Sequence, residues 1–170
     1  MDQNKLIIEY TFTEHVAVTG IIEVSKSVSP FFRYSYLIGI ANLLVIFLLI
    51  YLGGKYTSNI IVPISISILF FIMPLLALLK AKTSFKKNPN ANSVIKYFID
   101  NDSLEIEGEG IQGKYDWNKI IRVERKTSGL LFFPQSRVAH WIPISAMDAK
   151  SLDTLENILN NNNVKYKVIA

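Results

Sequence analysis

Few residues in this chain have the capacity for chemistry: two histidines, no cysteine, three alternating glutamates and one glycine-rich hexapeptide. His15 and His140 fall on different predicted elements, without the spacing of a metal-ligand pair, so a metal site is not expected. The lack of cysteine removes disulfides, thiolate metal sites, iron–sulfur clusters and cysteine nucleophiles together. It also fits a cytosol-facing domain. Glu105, Glu107 and Glu109 share one face if the segment is a strand, with neighbours about 6.5–7 Å apart, a separation that paired glycosidase carboxylates use. No apolar cleft is evident to raise either pKa, and a solvated strand face is expected instead. Gly108-Glu109-Gly110-Ile111-Gln112-Gly113 satisfies the G-x-G-x-x-G pattern. A dinucleotide fingerprint must open a helix, however, and here the following residues read as a strand. Glu109 would also repel phosphate, so a hairpin turn is expected. Ser128 and Ser145 lack the strand–turn–helix setting of a nucleophile elbow. The chain is therefore expected to be no enzyme, with no catalytic residue, cofactor or metal.

Charge points away from nucleic acid as well. The formal net charge is +4, yet residues 88–170 hold ten Lys or Arg against ten Asp or Glu. A duplex-binding face needs a concentrated basic patch. Lys119, Arg122, Arg125 and Lys126 are interrupted by Glu124 and read as a solvated strand and turn.

The elements that must position these residues begin with two solvents. Between Arg33 and Lys55 lie 21 residues without a charge, and between Lys55 and Lys80 another 24. Either run is long enough to cross a ~30 Å hydrocarbon core as a helix. Gly53-Gly54-Lys55 breaks them, so the expectation is an antiparallel membrane hairpin over 34–79, with spans about 35–53 and 59–79. Lys26 and Arg33 precede it and Lys80, Lys82, Lys86 and Lys87 follow it, against Lys55 alone at the tip. Cations stay on the cytoplasmic side, which predicts a multi-pass protein of the cytoplasmic membrane with both termini inside. The four lysines after the hairpin are candidate contacts to lipid headgroups. Pro74 should bend the second span. Asn42, the one strongly polar residue deep in the first span, is expected to hydrogen-bond Ser67 across the pair, with Gly39 allowing close approach.

Before the hairpin, residues 1–33 read as a strand from Lys5 to Phe12 and a helix from Glu14 to about Ser27. Thr13 is its N-cap, and Val18, Ile21 and Ile22 form its apolar stripe. After it, 80–92 reads as a basic juxtamembrane linker ending in turn residues. From 93 to 170 the period changes to two. Ile95, Tyr97 and Ile99 alternate, as do Leu104 and Ile106, and Ile111, Tyr115 and Trp117 share a side. Ile121 and Val123, Leu130 to Phe133, and Arg137 to Ile142 continue an antiparallel meander. Ser145 and Asp148 have capping-box spacing ahead of the stripe Leu152, Leu155, Ile158 and Leu159. A last short strand is possible over Val164 to Val168. The expected fold is a membrane α-helical hairpin plus an α+β soluble domain: a pleckstrin-homology-like (PH-like) bent antiparallel sheet or barrel closed by a carboxy-terminal helix.

The stretch Tyr97-Phe98-Ile99-Asp100-Asn101-Asp102-Ser103-Leu104, then Glu109-Gly110, then Tyr115-Asp116-Trp117-Asn118-Lys119-Ile120-Ile121-Arg122-Val123 resembles the YcxB-like family of bacterial membrane proteins. Trp141-Ile142-Pro143-Ile144-Ser145-Ala146-Met147 resembles that family's strand–Pro–helix junction, although Ile144 and Met147 depart from its usual Lys and aromatic. The resemblance implies the hairpin and the PH-like domain and carries no activity. The function expected is a membrane-anchored, non-catalytic interaction or accessory module with a membrane or cytoplasmic protein partner. The alternative is a sensor of anionic lipid that uses the domain and the juxtamembrane lysines.

Overall fold

A computed structural model describes residues 5–51 and 57–169. The expected hairpin tip at Gly53-Gly54-Lys55 lies outside the described residues. The alternating amino-terminal segment forms strand β1 (Leu6–Thr11), followed by helix α1 (Glu14–Val28). Thr13 caps α1 as its spacing predicts, the side chain accepting from Val16 N at 3.4 Å. A single turn, α2 (Pro30–Arg33), leads to two apolar helices, α3 (Ser35–Tyr51) and α4 (Thr57–Lys86).

These two helices pack together. A Cβ on Gly39 of α3 would lie 3.0 Å from the Phe71 ring of α4. Gly39 stands nearly as many residues from Tyr51 as Phe71 stands from Thr57, which is an antiparallel register. The pair leaves large apolar side chains uncovered, Leu37 at 64%, Phe47 at 70% and Leu69 at 56% exposure. Among the described residues one helix, over Ile61–Lys86, is long and apolar enough to cross a membrane, and Ser35–Tyr51 is a shorter apolar helix. Asn42 Nδ2 donates to Ile38 O, and Ser67 Oγ to Pro63 O, both at 3.0 Å. The expected hydrogen bond between them is replaced by bonds within each helix, because a carbonyl four residues back is always in reach of a short polar side chain.

α4 does not stop at Leu79 but runs through Lys80 and Lys82 to Lys86. At ~1.5 Å per residue its 30 residues span about 45 Å, well beyond a ~30 Å apolar layer. The excess docks on the rest of the chain: Ala81 and Phe85 are buried, and Phe85 meets Phe12 at 5.7 Å between ring centres.

The remaining strands are β2 (Val94–Ile99), β3 (Ser103–Gly108), β4 (Ile111–Asp116), β5 (Arg122–Lys126), β6 (Gly129–Gln135), β7 (Val138–Pro143) and β8 (Tyr166–Val168). Helix α5 (Ala149–Asn161) lies between β7 and β8. β1 pairs antiparallel with β2, across the whole apolar helix pair in sequence, and gives one sheet of order β1-β2-β3-β4. The other has order β7-β6-β5-β8. Among the described residues no closed barrel forms. A 3-10 turn at Trp117–Lys119 interrupts the ladder where the chain passes between the sheets, and the Trp117 indole N–H anchors that turn by donating to Asp100 O at 2.9 Å. Trp117 thus ends the run that its alternation assigned to a strand.

The main core fills the space between the sheets and under α5: Ile8, Tyr97, Leu104, Ile106, Val123, Phe132, Ile142, Leu155 and Leu159. β8 pairs parallel to β5, which the intervening α5 crossover permits. The α5 cap is Asp148, accepting from Ser151 N at 2.8 Å, whereas Ser145 sits in a preceding 3-10 turn. A smaller core of Leu131, Phe133 and Trp141 on the outer face of the second sheet is covered by Val16, Val24 and Val28 of α1. Gly20 lies against the Trp141 indole, where a Cβ would come within 2.9 Å. The fully buried residues of α1 are Ala17 and Gly20, while Val18, Ile21 and Ile22 of the predicted stripe are half-buried, as are Val16, Val24 and Val28. That helix is packed on two sides, by β7 and by α4, and a two-sided environment blurs a one-face pattern.

Candidate functional site

The residues marked out by type in the sequence scatter. Gly108 and Ile111 pair across a tight β3–β4 hairpin, and Gly110 N donates to Asn90 Oδ1 at 2.7 Å, so the glycine run is a turn. Glu105 is paired with Lys114 at 2.6 Å and Lys5 at 3.5 Å. Its hydrogen bond from Lys114 holds its carboxyl below the ordinary value, the opposite of what an acid catalyst needs. Lys80, Lys82, Lys86 and Lys87 are all exposed at the end of α4, with Lys82 3.5 Å from Glu14.

Concavity lies elsewhere. A cavity of about 430 Å³ runs beside β7, between the inner face of the first sheet and α1. Volumes of ~300–1,000 Å³ are typical of ligand-holding clefts. Tyr10, Tyr97 and Ile111 wall it from the first sheet, Gly20 and Val24 from α1, and Ala139, His140 and Trp141 from β7. Alternation along β7 sends His140 and Trp141 to opposite faces, so the cavity wraps around the strand.

β7 is the edge of its sheet. Tyr10 donates its hydroxyl proton to Trp141 O at 2.9 Å, so the Trp141 carbonyl points away from β6. In an antiparallel strand the N–H and C=O of one residue point the same way, and residues two apart share that direction. Ala139 therefore turns its backbone pair to the cavity.

Apart from Arg137 at the mouth, the walls carry no lysine, arginine or carboxylate. Burial pushes the Tyr10 hydroxyl up to about 12 and the Tyr97 hydroxyl well above its ordinary value, and it pulls His140 down. The Tyr10 and Tyr97 rings stack at 6.1 Å, and His140 lies 5.0 Å from the Tyr115 ring. His140 Nε2 and Trp141 Nε1 are buried without a hydrogen-bond partner among the described residues. Arg137, exposed at the mouth, has no ion pair among the described residues.

The buried neutral state of His140 has a measurable consequence. Its folded pKa lies below the ordinary 6.5, so as pH falls the unfolded chain takes up a proton first. Stability contributed by the neutral ring is complete above that ordinary value and is lost as pH drops through it. Thermal unfolding in mild detergent should show a lower midpoint at pH 5.5 than at pH 7.5, and His140→Phe should reduce that difference.

Of these residues, His140 was legible only as a member of the predicted strand over Arg137 to Ile142. Tyr10 and Tyr97 were legible only as strand alternation. Their convergence depends on β1 pairing with β2, for which the sequence carries no local signal.

The arrangement defines a class: an α+β module of two four-stranded sheets, fastened to an apolar helix pair and carrying an open edge strand beside a neutral cavity. Residues 99–159, from the end of β2 into α5, match the family model described as YcxB-like protein, the family that the sequence resembles. No curated protein and no solved structure matches the chain.

Proposed function

We propose that this protein is a membrane-anchored, non-catalytic binding module that receives an extended apolar segment of a partner protein along β7. In this reading α3 and α4 span the cytoplasmic membrane as a hairpin. The soluble domain, PH-like in plan but open at one edge, stands on the projecting end of α4 with both termini in the cytoplasm. The cations flanking the helices on that side support the orientation.

The carrying observation is the open β7 edge beside an apolar cavity. Strand addition takes affinity from main-chain hydrogen bonds and specificity from pockets for alternate side chains, and this groove offers both. Trp141 Nε1 and His140 Nε2 supply polar contacts that no group among the described residues uses. Arg137 at the mouth favours an acidic residue flanking the apolar segment.

The test uses the full-length protein in lipid nanodiscs and a displayed library of eight-residue peptides. Selected peptides should alternate apolar residues beside an acidic one, and they should slow hydrogen exchange at the Ala139 amide. Ala139→Phe, which fills the cavity from a half-buried position, should weaken them about tenfold or more, equivalent to ~1.4 kcal/mol. If no peptide is selected, or a dodecyl chain occupies the groove in its place, the peptide reading fails.

A further inference from the structure

A second cavity, of about 230 Å³, lies between α1, α2 and the β5–β6 turn. Glu23, Lys26, Arg33, Lys126, Thr127 and Ser128 line it, three cations against one carboxylate. Lys26 is engaged with Glu23 at 3.0 Å, and Lys126, nearly buried, lies 3.2 Å from Glu124. Arg33 has no ion pair among the described residues, and its guanidinium lies over the Tyr34 ring at 5.5 Å. A planar fork of free donors, two ammonium groups and two hydroxyls is a donor set suited to a phosphate group.

Its position selects the source of that phosphate. Arg33 ends α2 two residues before Ser35 opens the apolar helix α3, and Phe31 on the same turn is 66% exposed. If α3 spans the bilayer, Arg33 sits at the depth of the headgroups and Phe31 at the acyl boundary. We infer that this cavity binds the phosphate of an anionic phospholipid headgroup. The inference rests on the membrane-hairpin part of the proposed function and is independent of the peptide groove.

The site differs in kind from the lysines at the end of α4. Those are exposed on a helix surface without a cavity, where attraction to anionic lipid is diffuse and screened by salt. A walled site whose arginine is unpaired among the described residues holds one headgroup in a fixed geometry.

The test is retention of phosphatidylglycerol by the full-length protein, measured by native mass spectrometry from mild detergent. Phosphatidylcholine and inorganic phosphate serve as competing probes. Lys26→Gln with Arg33→Gln, both at exposed positions, should reduce retention about tenfold through loss of charge-assisted hydrogen bonds. Lys80→Gln with Lys86→Gln should change it by about twofold or less, because screened surface charges contribute little. Equal losses in the two pairs, or no loss in the first, would overturn the site. Binding of inorganic phosphate that depends on Lys26 and Arg33, without preference for phosphatidylglycerol over phosphatidylcholine, would overturn the lipid assignment. Carbonate extraction of native membranes separates these outcomes from failure of the hairpin itself, since a chain that does not span is released.

Discussion

Gly129→Val is expected to destabilise the two-sheet domain by about 3 kcal/mol or more, at the upper end of overpacking effects. Gly129 opens β6 directly after the Thr127-Ser128 turn and pairs with Lys126 on one side and Pro143 on the other. A Cβ there would overlap the Ile142 carbonyl oxygen and come within 2.7 Å of the Trp141 ring. The carbonyl belongs to a ladder in the sheet interior, and the indole is pinned from its other side by Gly20. Neither can yield without separating β6 from β7 or lifting α1. Gly110→Ala is the matched control. Its Cβ would meet the Pro89 ring at 3.1 Å at the edge of the first sheet, and a cost under about 1 kcal/mol is expected. Denaturation in mild detergent followed by the fluorescence of Trp117 and Trp141 measures both. A Gly129→Val protein as stable as the wild type would mean that β6 and β7 are not packed as described.

The contrast between these two glycines shows where sequence reading succeeds. Gly110 lies within a pattern that points to a hairpin turn, and it is one. Nothing local marks Gly129, because the atoms that forbid a side chain there come from Trp141 and Ile142, a dozen residues away. The same division runs through the fold. Hydrophobic period revealed the meander strands and the α5 stripe, and the length of two uncharged runs revealed the apolar helices, since both are local properties. They said nothing of which strands pair, so the union of β1 with β2, the parallel β8 and the split into two sheets were not legible. The groove inherits that limit, being walled by elements far apart in sequence. The lysines after the apolar runs read as a linker because no local signal shows α4 continuing to Lys86 along a docking surface formed by Phe12 and α1.

β5 supplies the sharpest departure, and with it the second large effect. Its alternating charges predict a solvated strand, yet Glu124 is 7% and Lys126 8% exposed. β5 is an interior strand of its sheet: Val123 faces the main core, while Glu124 and Lys126 face outward beneath α1. Glu124 accepts from Arg122 Nε at 2.9 Å and stands 3.2 Å from Lys126 Nζ, and the Arg122 guanidinium lies 3.7 Å from the centre of the Phe133 ring. Burial pushes the Glu124 carboxyl up, but the hydrogen bond from Arg122 and the nearby Lys126 ammonium outweigh it and hold the carboxyl below its ordinary value. Glu124→Leu should therefore cost about 3–5 kcal/mol, the usual result of leaving a buried partner charge uncompensated. Glu124→Gln, which keeps an acceptor, should cost less. The double substitution Glu124→Leu with Lys126→Leu should recover most of the loss, because an apolar pair beside Leu131 and Phe133 needs no counterion. The carboxylate contribution is present at neutral pH and disappears as pH falls through the lowered folded pKa, so the single variant should lose less on acidification than the wild type. A double-mutant cycle by denaturation gives the coupling directly. If the two single substitutions simply add, the pair is solvated after all. The charge of Lys126 would then face water, not the floor of the cavity that Arg33 overlooks.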